Sequence, residues 1–225
     1  MAIKRLVLAA RVFALAVCLA NPVAHAANTL GLEDKGVVID NGAGNKLTFT
    51  WPVLVNGAKA KAEIAEKTVT GKTAVLKYQG GGRLDLSLAE GKIILRLSAL
   101  PEGVASIHTI LFIGIEYAAG GKWRANGADG TFPAEKAAQV TMHSSHSTPV
   151  VLTNPAGVDT VIGLPPPMYE QLQDLREWNI EGFKWQFWTT LTPGTLTYVI
   201  TVGDTAPVAA KPATQEIRSQ PEPAS

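Results

Sequence analysis

Polar and apolar residues alternate with a period of two along much of the chain from position 36 onward. Large apolar residues occupy every second position of 47–51, 84–88 and 196–202. Alternation of this kind places one side of a β-strand in a core and the other side in water. Similar runs lie near positions 59–70, 73–79, 92–98, 138–143, 149–153 and 158–163. The pattern therefore predicts many short β-strands.

Turn residues separate these runs at intervals of about 8–12 residues, which is typical of antiparallel β-sandwiches. They include Asn41-Gly42, Asn56-Gly57, the three glycines of 80–82, and 154–157. Two alternating runs flank Glu90-Gly91 so closely that we expect a β-hairpin there. The fold class predicted from this spacing is an all-β, jelly-roll-like antiparallel β-sandwich.

Two segments depart from the alternation. The run from Ile107 to Tyr117 is almost continuously apolar, which predicts a central strand buried on both faces. The segment from Met168 to Trp178 follows three prolines and carries apolar residues at helical spacing. We expect it to form one short helix that packs on a sheet edge or closes one end of the sandwich.

The first 26 residues have the pattern of a secretory signal peptide. Basic residues near the start precede an apolar run, and a small-x-small cleavage pattern ends at Ala26. The alternative is lipidation at Cys18, the single cysteine, although Val17 replaces the small residue that such sites require. We therefore expect residues 1–26 to be removed and the protein to be exported to the periplasm or the medium.

The other end of the chain and the charge balance complete this outline. Residues 206–225 are rich in Ala, Pro, Thr, Gln and Glu, which predicts a disordered tail and leaves 27–205 as a single β-sandwich domain. Without residues 1–26 the chain has 17 basic and 19 acidic residues and no cysteine. A weakly acidic exported protein has no electrostatic reason to bind nucleic acid. After cleavage we expect no integral membrane segment, no disulfide and no thiolate metal site.

Tryptophans mark the first candidate site. Three of the five lie between positions 178 and 188. On a strand, Phe183, Trp185 and Phe187 face the core together and Trp188 faces the opposite way. Exposed rings beside polar side chains hold sugars, because the ring covers a C–H face while polar groups bond the hydroxyls. The candidate rings are Trp123, Trp178 and Trp188, and the alternative is that they cap the ends of the sandwich.

The segment 120–133 is predicted to be a long, glycine-rich loop. Loops on a rigid sandwich often hold function, and this one carries the candidate ligand-binding residues Trp123, Arg124, Asn126 and Asp129. Asn126 and Asp129 could also supply oxygen ligands to calcium, but the spacing is not that of the twelve-residue calcium loop. We expect no cofactor, with calcium as the alternative.

Two histidines and two carboxylates are the remaining candidates for chemistry. His143 and His146 lie at a predicted strand end, without a nearby carboxylate to complete a zinc site. Glu170 and Asp174 would share a face of the predicted helix and could be the acid and base of a glycoside hydrolase. The alternative is a solvated helix face in which Arg176 forms local ion pairs.

A lyase would use other residues. It would need a base such as Tyr169 or His143, with Arg124 or Arg176 to neutralise a uronate.

Short pieces between 120 and 190 resemble β-sandwich modules of secreted bacterial polysaccharide-degrading proteins. The pieces are Gly-Gly-Lys-Trp-Arg, Thr-Phe-Pro, Leu-Thr-Asn-Pro-Ala-Gly and Gln-Leu-Gln-Asp-Leu-Arg-Glu-Trp. The resemblance implies a carbohydrate-associated sandwich and identifies no catalytic residue.

The function predicted from these features is binding of a poly- or oligosaccharide by an exported, non-catalytic β-sandwich. Two alternatives stay open. One is a polysaccharide lyase or glycoside hydrolase, and the other is a structural module of the cell envelope that binds a protein partner.

Overall fold

The computed structural model describes residues 28–42, 46–58, 60–146, 149–164, 168–191 and 196–203. The predicted signal peptide and the predicted tail lie outside the described residues. Within these ranges no helix has the length and the apolar character needed to cross a membrane.

The described residues form eighteen β-strands and two short helical turns. In chain order the strands are β1 (Thr29–Glu33), β2 (Gly36–Asp40), β3 (Lys46–Thr50), β4 (Val53–Asn56), β5 (Lys61–Ala62), β6 (Ile64–Thr70), β7 (Thr73–Tyr78), β8 (Arg83–Ala89), β9 (Lys92–Ala99), β10 (Val104–Gly114), β11 (Lys122–Ala125), β12 (Ala128–Thr131), β13 (Thr141–Ser145), β14 (Val150–Thr153), β15 (Asp159–Gly163), β16 (Tyr169–Asp174), β17 (Gly182–Thr190) and β18 (Leu196–Gly203). The helical turns are α1 (Ile115–Ala118) and a 3₁₀ turn (Leu175–Trp178).

The strands make two antiparallel sheets that form a sandwich. Sheet 1 has the order β1-β2-β3-β10-β17-β16-β13, with β4 on β10 and β5 on β4. Sheet 2 has the order β12-β11-β14-β15-β18-β9-β8-β7-β6. The predicted all-β antiparallel sandwich is confirmed.

The core lies between the sheets and follows the alternation in the sequence. Phe183, Trp185 and Phe187 of β17 are fully buried, as predicted, and pack with Leu47 and Phe49 of β3 in one cluster. Sheet 2 contributes the buried leucines of β8 and β9, which are Leu84, Leu86, Leu88, Leu95 and Leu97. Each strand of this kind presents one side to the core and leaves the other on an outer face.

The predicted hairpin at Glu90-Gly91 is confirmed. Ala89 pairs with Lys92 across a two-residue turn between β8 and β9. Gly91 has a φ of 58°, and a Cβ at this position would lie 2.9 Å from the carbonyl oxygen of Val202. Glycine is therefore required for both the backbone conformation and the close approach of β18.

The prediction of a strand buried on both faces over 107–117 is wrong. β10 ends at Gly114, and Ile115 begins the short helix α1. In β10 only every second side chain from Ile107 to Ile113 is buried, and the others are half-buried. Sheet 2 covers one face of sheet 1, so the apolar residues of the other face line a partly open surface.

The predicted helix over 168–178 is also wrong. Tyr169–Asp174 is strand β16, which pairs with β17 and β13, and only Leu175–Trp178 is helical, as the 3₁₀ turn. Glu170, Leu172 and Asp174 alternate inward, but two of these three are acidic. Because carboxylates occupy two of the core-facing positions, the polar–apolar alternation of a strand is absent from this segment.

The segment 120–133 is a hairpin where a long loop was predicted. β11 and β12 pair directly, and Asn126-Gly127 joins them with φ values of 47° and 75°. Positive φ at both central residues is the geometry that makes Asn-Gly a strong hairpin signal. The many glycines of this segment led to the prediction of a loop, although Asn126-Gly127 alone predicts a hairpin turn.

Candidate functional site

A groove on the outer face of sheet 1 is the candidate site. Its volume is about 480 Å³, and strands β4, β5, β10 and β17 supply its walls. The lining residues are Val53, Val55, Asn56, Lys61, Ser106, His108, Ile110, Lys184, Gln186 and Trp188. Pockets of this size with apolar walls and a few convergent polar groups are the usual form of small-ligand sites.

A row of aromatic rings crosses sheet 1 at this groove. His108 of β10 pairs with Trp188 of β17, which pairs with Tyr169 of β16. Centroids of His108 and Trp188 are 5.7 Å apart with near-parallel planes, and those of Trp188 and Tyr169 are 4.0 Å apart. His146 continues the row, 4.8 Å from Tyr169. Directly opposed residues on one sheet face touch, so the register itself builds the row.

Hydrogen bonds hold the His108 ring in place. Its Nδ1 lies 3.0 Å from Nε2 of Gln186, and its Nε2 lies 3.2 Å from Oγ of Ser106. Because the amide nitrogen of Gln186 donates, Nδ1 accepts and the ring proton is on Nε2, which donates to Ser106. His108 is therefore a neutral ring with both nitrogens engaged. Burial, and then the charge of Lys61, lower its pKa, which favours the same state.

The groove carries positive charge on two lysines. Lys184 is half-buried on β17 and Lys61 is exposed on β5. Burial, and then the charge of Lys61, lower the pKa of Lys184. Within the described part of the chain, neither ammonium group lies within salt-bridge distance of a carboxylate. The groove-lining residues that the structure describes include no Asp or Glu.

Two of the six predicted ligand-binding residues lie at or beside this groove. Trp188 is half-buried in its wall. Trp178, in the 3₁₀ turn, is 51% exposed, and the ammonium of Lys184 lies 5.8 Å from its ring centroid. Because Lys184 lines the groove, Trp178 lies beside it.

Trp123 faces the interior. Its side chain is 6% exposed, and its ring centroid lies 5.8 Å from that of Trp185 and 5.1 Å from that of His143. Gly130 pairs with Trp123 across the hairpin, and a Cβ there would lie 2.6 Å from the indole. The ring is covered on these sides and does not reach the groove.

The other three predicted residues lie on the opposite side of the sandwich. Arg124 and Asp129 are paired across the β11–β12 hairpin on the outer face of sheet 2, and Asn126 is in its turn. Arg124 forms an exposed ion pair of 3.0 Å with Asp159. Trp123, Arg124 and Asp129 nevertheless line one cavity of about 580 Å³, together with Lys122, Gly130, Thr131 and Thr153. The structure thus brings three of the six predicted residues together at the β11–β12 hairpin and places Trp178 and Trp188 at or beside the groove on sheet 1. Among the described residues no group of three or more His, Cys, Asp or Glu side chains is placed to hold a metal ion, and calcium stays a prediction.

The two carboxylates of β16 point into the core. Glu170 is fully buried and accepts hydrogen bonds from Nε1 of Trp185 at 2.8 Å and from Oγ of Ser145 at 2.7 Å. Asp174 is 1% exposed and is bonded to Arg176. Four residues along a strand span about 13 Å, whereas glycosidase carboxyls lie about 5–9.5 Å apart. Glu170 and Asp174 therefore do not form a hydrolase acid–base pair in this structure.

The bonds around Asp174 define its charge. Burial alone would raise its pKa, but hydrogen bonds from the Arg176 guanidinium and from the N–H groups of Ala137 and Arg176 outweigh burial and lower it. Arg176 also donates to the carbonyls of Pro133, Ala134 and Glu135. The predicted local ion pair of Arg176 is therefore present. The predicted solvated helix face is wrong here, because the two side chains are only 10% and 1% exposed and tie the 133–137 segment to sheet 1.

The two histidines lie on different sides of sheet 1. His143 lies in β13 and faces inward, with Nε2 3.5 Å from Oε1 of Glu170, whereas His146 follows the strand on the outer face. Residues of a strand three positions apart point to opposite sides. The candidate bases for a lyase are divided in the same way, since Tyr169 lies on the outer face and His143 in the core.

Most residues of the groove were not predicted from the sequence. Ser106 and His108 lie at the start of the apolar strand β10, and two polar residues two positions apart, on the side facing away from the core, are the signal that was overlooked. Asn56 and Lys61 flank a turn that was recognised, but their contact with β10 depends on long-range pairing.

Comparison with known proteins gives distant structural likeness only. No family model and no curated relative matches the chain. It is similar to a GH31 family sulfoquinovosidase from E. rectale at 8% identity and a TM-score of 0.45, covering 79% of this chain and 32% of that one. It is also similar to a protein assigned as an aldose 1-epimerase from Escherichia coli K12, at 9% identity and a TM-score of 0.45, covering 64% of this chain and 68% of that one. The similarity to HI1317 has 9% identity and a TM-score of 0.38, and covers 77% of this chain and 80% of that one. The chain spans about a third of the sulfoquinovosidase, and at TM-scores below 0.5 these likenesses do not decide what it binds.

Proposed function

We propose that this protein binds a poly- or oligosaccharide in the groove on the outer face of sheet 1, without itself carrying out a reaction. We also propose that it does so after export, as the signal-peptide pattern of residues 1–26 predicts.

The observation that carries the proposal is the row of rings in the groove. Trp188 lies between His108 and Tyr169, so its ring is held in one orientation by contacts on both sides. A pre-oriented ring costs little conformational entropy on binding. Its half-buried position leaves part of the indole available to the C–H face of a sugar.

Polar groups that can bond sugar hydroxyls line the same groove. Gln186 is next but one to Trp188 on the same side of β17, and Asn56, Ser106 and Lys184 line the same groove. Amide and hydroxyl groups both donate and accept, as hydroxyl ligands do. Trp178, beside Lys184, extends the surface beyond the groove.

The experiment is a titration of tryptophan emission with soluble polysaccharides, with and without acrylamide. We expect a bound glycan to protect Trp188 from quenching. Trp188→Ala should weaken binding at least tenfold, because central aromatic anchors commonly contribute 2 kcal/mol or more.

The matched control is Trp51→Phe. Trp51 is also half-buried, but its Nε1 donates to the carbonyl of Asp34 and its ring contacts Lys67, away from the groove. This variant should bind as the wild type does. Thermal unfolding of each variant checks that the fold is intact.

Three outcomes would contradict the proposal. Equal binding by Trp188→Ala and wild type would exclude this groove. New reducing ends or unsaturated uronates would favour the enzyme alternative. Failure to bind any glycan, with recovery of one stoichiometric protein partner, would favour the envelope module.

A further inference from the structure

The charged groups of the groove select among saccharides. Lys61 and Lys184 are donors only, since an ammonium has three N–H groups and no acceptor. Neutral sugars present hydroxyls that both donate and accept, and carboxylate side chains commonly take their protons. No such carboxylate is among the lining residues that the structure describes.

Lys184 is also placed at a cost to the protein. Lys184 is half-buried, and burial together with the charge of Lys61 disfavours its protonated form. In the described residues neither lysine has a carboxylate partner at salt-bridge distance. By contrast Lys67 and Lys77, both in strands of sheet 2, are paired with Asp34 and Glu66. An anion in the groove would supply the missing partner.

We propose that the groove binds acidic saccharides, with Lys61 and Lys184 pairing with the carboxylate of a uronic acid residue while Trp188 covers its ring. This proposal rests on the carbohydrate-binding function proposed above and names its ligand class. An ionised carboxylate is an acceptor only, so it complements two donor-only cations. The side-chain oxygen of Gln186 and the side-chain nitrogen of Asn56 remain for the hydroxyls, since their other amide atoms are bonded to His108 and Ala60.

The test compares each polyuronate with its own neutral form. Polygalacturonate, alginate and hyaluronate are titrated in native form and after reduction of the carboxyl groups to alcohols. Neutral glucan, xylan, mannan and galactan, and poly-L-glutamate as an anion without sugar, complete the panel. We expect at least one native polyuronate to bind at least about tenfold more tightly than its reduced form. The reason is that one charge-assisted hydrogen bond commonly changes affinity by about tenfold or more.

Lysine variants locate the effect. Lys61→Gln/Lys184→Gln should lose about tenfold or more toward the native polyuronate and show little change toward the reduced polymer. Lys92→Gln, an exposed lysine of sheet 2, is the matched control and should bind as wild type does. Binding of the native polymer should also weaken as salt is raised.

The outcomes separate this proposal from the proposed function. Equal affinity for native and reduced polymers, or binding to neutral polymers only, overturns the acidic class and leaves carbohydrate binding standing. Binding of poly-L-glutamate as tight as that of a polyuronate, unaffected by Trp188→Ala, overturns carbohydrate binding. Failure to bind any polymer of the panel overturns both.

Discussion

Strands β16 and β17 present two polar regions that differ in how their charges are matched. On the inner face Asp174 is bonded to Arg176, and Glu170 accepts bonds from Trp185 and Ser145. On the outer face, a few ångströms away through the same strands, Lys184 faces Lys61. Buried charges that serve the fold are bonded to partners within the chain. The like charges of the open groove have no carboxylate partner at salt-bridge distance among the described residues, and the proposed anionic ligand would supply one.

The difference gives a criterion for dividing residues of one sheet into structural and functional sets. Removing an inner charge should leave a buried partner without its counter-ion and destabilise the fold. Removing a groove charge should affect ligand binding and leave stability nearly unchanged. The expected effects therefore differ in size and in the property that they change.

The largest effect is expected for Arg176→Met. This change leaves the buried Asp174 carboxylate without its cation and releases the carbonyls of Pro133, Ala134 and Glu135. Loss of one partner of a buried ion pair costs about 3–5 kcal/mol. Urea denaturation should show a loss of that order in the free energy of unfolding.

Arg124→Met is the matched control. Arg124 forms its ion pair with Asp159 at the surface, where the side chains are 59% and 34% exposed. Pairs of this kind contribute about 0–1 kcal/mol. Equal losses in the two variants would contradict the view that the Asp174–Arg176 pair is structural.

The same pair predicts a pH dependence with a definite sign. The pKa of Asp174 is lower in the folded protein than its ordinary value, which is about 3.9. Between the two values the unfolded state binds more protons, so stability falls as the pH drops through the folded-state pKa. Arg176→Met should flatten this acid limb in denaturation curves recorded from pH 6 to pH 2.

The alternation of the sequence was sufficient to predict the sandwich and its main core residues. Phe183, Trp185 and Phe187 were placed in the core, and Trp188 opposite them, from the period of two alone. The prediction of a helix over 168–178 was wrong because acidic residues occupy core-facing positions of β16. Glu170 faces inward because Trp185 of β17 and Ser145 of β13 donate to it, and no local pattern reveals partners on other strands. Asp174 is bonded to Arg176 only two residues along the chain, but its inward direction depends on the pairing of β16 with β17.

The groove was accessible to sequence analysis only in part. Trp188 was placed on the side of β17 that faces away from the core. His108 lies 80 residues earlier and meets Trp188 only through the register of β10 with β17. Trp123 was predicted to be an exposed ring but is only 6% exposed. Its burial depends on contacts with Trp185 and His143, which are distant in sequence.

An intermediate effect is expected when the two tryptophans of β17 are compared as Trp185→Phe and Trp188→Phe. Trp185 is fully buried, and its Nε1 donates to Glu170. Phenylalanine there leaves a gap and removes a bond to a buried carboxylate, which we expect to cost about 2–4 kcal/mol. The measurement is urea denaturation, with glycan titration of the folded protein.

Trp188→Phe should behave in the opposite way. The residue lies on the outer face, so the free energy of unfolding should change by less than about 1 kcal/mol while glycan affinity falls. Trp185→Phe should keep the affinity of the wild type wherever it remains folded. A large stability loss for Trp188→Phe would mean that the row of rings supports the fold and not a ligand.

The smallest change in stability is expected for Lys184→Met, and its sign is the sharpest test of the comparison. Methionine keeps the apolar stem and removes a half-buried ammonium that repels Lys61. The folded-state pKa of Lys184 is below its ordinary value, so protonated Lys184 destabilises the fold at neutral pH. Lys184→Met should therefore be as stable as the wild type at pH 7, or more stable by no more than about 1 kcal/mol.

Because the folded protein releases the proton of Lys184 at a lower pH than the unfolded chain does, any gain in stability of Lys184→Met should shrink as the pH rises toward about 10.4. Urea denaturation at pH 7 and pH 10 measures this difference. A loss of stability comparable to that of Arg176→Met would place Lys184 among the structural charges and remove the contrast between the two faces.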